Sequence, residues 1–262
     1  MKTPAPGKKY FFFDIDGTLT DDATHRIVPS AQETLQQLRQ NGHYVAIATG
    51  RAHYKAVAFT NQIDIHNLVC AGGGCLVIDD QIIDNVPLDL AKAKTMLRHA
   101  DEHGIGWILM LDDSDHVYMR DLRFLEQAGR RTELTTYHLD PSLDYEKLDA
   151  IYKIYMAVDS EDDRKYPWLK DLGSLRMGPG YRVFQYDKKK DGILRMMKYL
   201  QADVKDVVVF GDADNDMVMF DDRWFSIAMG NGTEALKKKA DYVTDLNVND
   251  GIMKACRKFG WI

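Results

Sequence analysis

Cysteine is scarce. Three occur in 262 residues: Cys70, Cys75 and Cys256, too few and too scattered for a disulfide framework or a four-thiolate zinc site. They read as small core residues, and a nucleophilic role for any of them lacks an evident partner. No stretch approaches the roughly 20 apolar residues that a membrane helix requires, and the opening MKTPAPGKK lacks the apolar core of a signal peptide. The expectation is a cytoplasmic protein with no membrane partner. An excess of positive charge is missing too. With 34 Lys and Arg against 40 Asp and Glu the formal net charge is -6, which argues against nucleic acid as a partner. Internal repeats and low-complexity tracts are absent. What remains is the composition of an ordinary globular protein, 45% hydrophobic and 28% charged, over a length that holds one large domain or a core plus an insertion.

The chain is organised around Lys9 to Thr20, KYFFFDIDGTLT. Tyr10, Phe11, Phe12 and Phe13 form a short continuous apolar run that ends in Asp14, Asp16 and Gly17, the pattern of a strand buried on both faces at the centre of a parallel sheet. Open α/β sheets place ligands at the carboxyl ends of their strands. Side chains two apart on an extended backbone project to the same side, so Asp14 and Asp16 can address one site. Two carboxylates converging there repel unless a cation or a shared proton intervenes, and the pair predicts a metal. Taken alone, D-x-D-G reads equally well as a solvated turn.

Three later stretches shift that balance. VAIATGR (Val45 to Arg51) is a second apolar run, ending in Thr49 and Gly50. Lys188, Lys189 and Lys190 precede the helical pattern GILRMMKYL. DVVVFGDADND (Asp206 to Asp216) brings a third buried strand with carboxylates at its end. In this order and spacing the four segments resemble the haloacid dehalogenase-like superfamily of phosphohydrolases, in particular its Cof-type, subclass IIB branch with a large C2-type cap inserted after the third strand. The resemblance covers almost the whole chain.

It implies an α/β fold, a Rossmann-like parallel-sheet core with an inserted α+β cap domain, divided as core 1–84, cap 85–186 and core 187–262. It also implies a Mg²⁺-dependent phosphatase acting on small phosphorylated metabolites, sugar phosphates first, through an aspartyl phosphate. Asp14 is then the nucleophile and a metal ligand, Asp212 supplies a second metal carboxylate, and Asp16 offers its backbone carbonyl to the metal while its side chain serves as acid and base. Thr49, Gly50 and Asn215 hold the phosphate together with a lysine. The family's K-x-x-G-[IL] spacing, counted back from Gly192, selects Lys189, with Lys188 or Lys190 as register slips. Asn215 and Asp216 would orient the phosphate or lysine and the metal's waters, respectively. Alternatives from the same residues are a phosphomutase or phosphotransferase sharing the intermediate, and a non-catalytic phosphate-ligand binder. Arg51 either lines the substrate entrance or pairs with surface acids.

Along the rest of the chain, Ser30 and Glu33 read as a capping box before a crossover helix that Gly42 ends. Gly72 to Gly74 form a tight turn rather than a dinucleotide fingerprint, and the Asn usual in the family near Gly72 is missing. From Asn85 a helix, hairpin strands and a helix over Glu161 to Leu172 read as an antiparallel sheet with helices on one face. Arg176, Tyr181 and Arg182 are candidate substrate contacts on it, or sheet surface. MGNG (residues 229 to 232) is expected to buttress the core.

Overall fold

The fold comes from a computed structural model that describes residues 3, 4 and 6–262. In chain order its strands and helices are β1 (Tyr10–Phe13), α1 (Pro29–Gln40), β2 (Tyr44–Ala48), α2 (His53–Thr60), β3 (Leu68–Cys70), β4 (Cys75–Ile78) and β5 (Gln81–Asn85). Then follow α3 (Leu90–Glu102), β6 (Trp107–Met110), β7 (His116–Met119), α4 (Arg123–Ala128), β8 (Thr136–Leu139), β9 (Lys153–Met156), α5 (Asp162–Lys165), β10 (Ser174–Gly178) and β11 (Tyr181–Gln185). The chain closes with α6 (Lys189–Tyr199), β12 (Val207–Gly211), β13 (Phe225–Ala228), α7 (Glu234–Lys239), β14 (Tyr242–Val243) and α8 (Gly251–Lys258). The elements fall into two compact units, Met1–Asp84 with Lys188–Ile262, and Asn85–Asp187.

The first unit is built on an 8-stranded sheet in the order β14-β13-β12-β1-β2-β3-β4-β5. From β14 to β3 the pairing is parallel, and β3 to β4 is antiparallel. β1 is central because alternate residues of its aromatic run are buried on opposite faces. Phe11 and Phe13 pack with Val45, Ile47, Val208 and Phe210 against α1 and α8. Phe12 packs with Ala46, Val207 and Val209 against Ile193, Met196 and Met197 of α6. Parallel sheets covered on both faces demand this kind of continuous apolar strand.

One expectation fails at α1. The helix begins at Pro29, with Val28 at the N-cap and no side-chain cap. Proline is well suited to the first helical position, so the helix starts ahead of Ser30. Ser30 is left inside the first turn, its carbonyl accepting from Thr34 Oγ1 at 2.7 Å. Gly42 does follow the last turn, at φ +82°.

The second unit carries a 6-stranded sheet, β10-β11-β9-β6-β7-β8. Trp107, Leu109, Ile154, Met156 and Phe184 on one face bury the apolar stripe Ala93, Met96, Leu97 and Ala100 of α3. The sheet is not wholly antiparallel, because β8 joins β7 in parallel. The expected helix from Glu161 to Leu172 breaks as well, into α5 and a 3₁₀ turn at Pro167–Lys170. Pro167 cannot donate the helical hydrogen bond, and this divides the segment. No helix among the described residues is long and apolar enough to cross a membrane.

Candidate active site

Three neighbouring parallel strands end together. The register sets Phe13 of β1 against Phe210 of β12 on one side and Ile47 of β2 on the other. Asp14, Asp212 and Thr49 therefore leave the sheet at adjacent positions on one edge, and the Asp14 amide still donates to the Phe210 carbonyl at 3.1 Å. Of the three clustered lysines, Lys189 is the one turned inward, 2% exposed, whereas Lys188 is exposed and Lys190 pairs with Asp221 at 3.3 Å. Lys189 Nζ donates to Asp14 Oδ1 at 2.6 Å and to Asp216 Oδ1 at 2.7 Å.

Asp216 has a further task. Its Oδ2 accepts from the backbone amides of Asp212 at 3.0 Å and Ala213 at 3.2 Å. Three donors thus hold this buried carboxylate, which ties the lysine to the turn that presents Asp212. Asp216, not Asn215, touches the lysine, since Asn215 is exposed on the same turn. Thr18 Oγ1 donates to Asp212 Oδ1 at 2.7 Å. Gly17, at φ +76°, lies so near that a Cβ there would stand 2.2 Å from Asp212 Oδ2.

The loop bearing these groups is held from far along the chain. Asn231, in the MGNG turn, donates through Nδ2 to the Gly17 carbonyl at 2.7 Å, and its Oδ1 accepts from the Asn247 amide at 3.1 Å. Asn247 Nδ2 in turn donates to the Thr20 carbonyl at 2.8 Å. Sequence assigns no role to Thr18 or Asn247, and gives Asn231 only the buttressing expected of the MGNG turn. A hydroxyl directly after D-x-D-G is the available signal for Thr18, and a polar residue in a glycine turn is the local hint for Asn231.

Asp14, Asp212 and Asp216 can each offer a carboxylate oxygen such that all three lie within 4.8 Å of one another. Burial pushes the Asp14 carboxyl up to about 8, the Asp216 charge adding to the rise and Lys189 opposing it. Burial likewise pushes Asp212 up to about 7, against the pull of the Thr18 hydrogen bond. For Lys189 burial works against the charge, but the Asp14 and Asp216 carboxylates outweigh it and hold the ammonium protonated above the ordinary lysine range. An all-oxygen, acid-rich donor set short of positive charge suits a hard divalent cation.

Asp16 stands apart from this carboxylate cluster. Its exposed side chain forms a two-pronged ion pair with Arg51, through Nη2 at 2.5 Å and Nε at 3.2 Å. Arg51 therefore pairs with an acid of the opening motif. Thr49 is buried and its Oγ1 accepts from the Arg51 amide at 3.1 Å, while Gly50 between them is partly buried. In the second unit Arg176 and Arg182 both bind Asp163 at 2.8 Å, and Tyr181 is 9% exposed, which leaves the two arginines engaged with an acid of their own unit. The three cysteines are buried, and the Cys70 thiol donates to the Cys75 carbonyl at 3.6 Å.

The model of the haloacid dehalogenase-like hydrolase family matches residues 11–256, and the chain belongs to that family. Its fold is that of the Cof-type, subclass IIB members, and it is a phosphatase. The chain is 29% identical over 255 residues to YkrA of Bacillus subtilis, a protein named provisionally as a phosphatase, with 96% of this chain and 98% of that one covered. It is 26% identical over 276 residues to YitU of Bacillus subtilis, a 5-amino-6-(5-phospho-D-ribitylamino)uracil phosphatase, covering 94% and 95% of the two chains. Among solved structures, the superfamily phosphatase BT1666 of Bacteroides thetaiotaomicron superposes with a TM-score of 0.81 at 26% identity, covering 97% of this chain and 96% of that one.

Proposed function

We propose that this protein is a Mg²⁺-dependent phosphatase of the cytoplasm that hydrolyses small phosphorylated metabolites, phosphorylated sugars and sugar alcohols first, through an aspartyl phosphate on Asp14. The observation that carries this reading is the position of Lys189 Nζ, within 2.7 Å of both Asp14 and Asp216, at a strand edge where Asp212 and Thr49 also emerge. YitU, a full-length relative, acts on a phosphoribityl compound, which favours a substrate of that chemical type.

Asp14 and Asp212 would hold the metal through side chains and Asp16 through its backbone carbonyl. Bound there, Mg²⁺ supplies the positive charge that lets a carboxylate approach a phosphate dianion. The chain's own groups account for the rest. Asp14 attacks phosphorus, the bond from phosphorus to the ester oxygen breaks, and the alcohol leaves with a proton from the Asp16 carboxyl. Asp16, now ionised, removes a proton from the water that attacks the aspartyl phosphate, which releases inorganic phosphate and restores both acids. Lys189, the Thr49 hydroxyl and the amide near Gly50 bind the phosphoryl oxygens, whose charge spreads as the transition state forms. In the structure the Asp16 side chain is held by Arg51, so it must leave that ion pair to reach the leaving oxygen.

The test is a panel of phosphate monoesters, p-nitrophenyl phosphate included, assayed with Mg²⁺ and with a chelator. Release of inorganic phosphate only when Mg²⁺ is present supports the reading. Transfer of phosphate to a second sugar with no free phosphate would make the protein a phosphotransferase, and failure to turn over any of the panel would overturn the proposal.

A further inference from the structure

The turn Ala71–Gly74 takes no part in the chemistry above, yet the segments that carry that chemistry rest on it. The Ala71 amide donates to the Arg51 carbonyl at 2.7 Å and the Gly72 amide to the Thr49 carbonyl at 3.1 Å. From the other side the Lys188 amide donates to the Gly72 carbonyl at 2.8 Å. The approach leaves no room for side chains. A Cβ on Gly73 would stand 2.4 Å from the Lys188 carbonyl oxygen and 2.9 Å from Lys189 Cα, and one on Gly192 would stand 2.9 Å from the Gly73 carbonyl oxygen. The glycines let the first turn of α6, with Lys189 in it, lie directly against backbone.

Backbone contact alone does not fix the height of a helix. Arg195, further along α6, reaches back to the same turn: Nη2 donates to the Gly73 carbonyl at 2.5 Å and to the Gly74 carbonyl at 3.3 Å, and Nη1 pairs with Asp84 at 2.7 Å. A rigid planar fork can address carbonyls and a carboxylate in different directions at once, which a lysine ammonium on a flexible stem cannot do with the same geometry. Asp84 and Lys188 are also the residues at which the chain leaves and re-enters this unit. Both crossings are therefore tied to the turn, one through Arg195 and the other through the Lys188 amide.

We propose that Arg195 is a positioning residue for the phosphoryl chemistry: by clamping the Gly73–Gly74 carbonyls to α6 it sets where Lys189 Nζ stands relative to Asp14 and the Thr49 loop. The proposal rests on the phosphatase reading. A group acting on the transition state loses roughly 100-fold in rate for a displacement of about 1 Å.

Wild-type turnover of p-nitrophenyl phosphate with Mg²⁺ tests the phosphatase reading by itself; the variants test the clamp. Arg195→Ala, shown to be folded by circular dichroism, is expected to lose about 100-fold in kcat with little change in KM. Guanidinium chloride at sub-denaturing concentration should restore part of that loss, and ammonium chloride should not. Arg195→Lys should fall between the alanine variant and wild type. A kcat within about threefold of wild type, or a loss that guanidinium does not relieve, overturns the proposal. Should wild type prove inactive, calorimetry with orthovanadate and Mg²⁺ takes the place of turnover. Binding at least about tenfold weaker in Arg195→Ala then supports the clamp, whereas equal binding, or none by either protein, counts against it.

Discussion

Replacing Lys189 by methionine keeps the length and apolar stem of the side chain and removes its charge. The ammonium is 2% exposed, Asp14 7% and Asp216 0%, with both contacts below 2.8 Å. Removing one partner of a buried ion pair typically costs about 3–5 kcal/mol, because the remaining charge is left without compensation. Here two carboxylates lose their shared cation, and the cost must depend on pH. Asp14 already sits near 8 against an ordinary 3.8, and Lys189 is a group that restrains the rise. Without it the native Asp14 carboxyl climbs further. An acid with a raised native pKa costs no stability below its unfolded value and progressively more as pH rises toward the native value. The deficit of Lys189→Met relative to wild type should therefore be smallest near pH 5 and largest near pH 9. Amide exchange of β1 and β12, followed with chelator present, reads the stability of this unit separately from Asn85–Asp187. Added Mg²⁺ should narrow the gap at high pH by supplying charge to the same acids. A deficit under about 1 kcal/mol at pH 9, or one that does not change with pH, would refute the account of the lysine as the neutralising centre.

Asp14→Asn should abolish turnover while circular dichroism stays that of wild type; full activity in that variant would end the covalent route. Asp212→Ala should lower activity and weaken Mg²⁺ binding together, measured by turnover and calorimetry. Gly17→Ala forces a left-handed backbone on an L-residue, about 1–2 kcal/mol by itself, and drives its Cβ into Asp212; a melting temperature and Mg²⁺ affinity equal to wild type would contradict the placement. Because Asp14 and Asp212 are raised to about 8 and about 7, cation binding must displace protons from them. Mg²⁺ affinity should rise between pH 5 and pH 8 and then level off, with proton release visible as a buffer-dependent calorimetric heat.

The core was legible where local pattern and tertiary role coincide. β1, β2 and β12 are continuous apolar runs because both faces of the sheet are covered, and Asp14, Thr49 and Asp212 follow at their carboxyl ends, the edge where open α/β sheets place ligands. Lys189 was selected by its spacing from Gly192, and the structure supplies a reason: a side chain on that glycine would strike the Gly73 carbonyl and Val69. Local pattern fails where function depends on distant contact. Asn231 and Asn247 meet the opening loop from more than 200 residues away, so nothing near them in sequence announces it. Asp216 looked like an outer residue of its motif until the 3₁₀ turn over Asp214–Met219 pointed its carboxylate back at the Asp212 amide. Arg176 and Arg182 were open in sequence between substrate contact and sheet surface. Cations on facing strands suggest a ligand, but Asp163 takes them both.

The charge at the strand edge explains why a cation and a nucleophile would arrive together. Among the described residues, the Lys189 ammonium bonds Asp14 and Asp216 but not Asp212, and Asp216 already accepts three hydrogen bonds. The unmet demand therefore falls on Asp14 and Asp212, the two acids that burial pushes up. Protons can meet it, but a protonated Asp14 is no nucleophile. A divalent cation meets it and leaves Asp14 ionised, 2.6 Å from a fixed ammonium that holds its orientation. On the proposed reading, a cation held by Asp14 and Asp212 would favour the ionised form of Asp14 and help to neutralise the incoming phosphate, so both would depend on a single binding event.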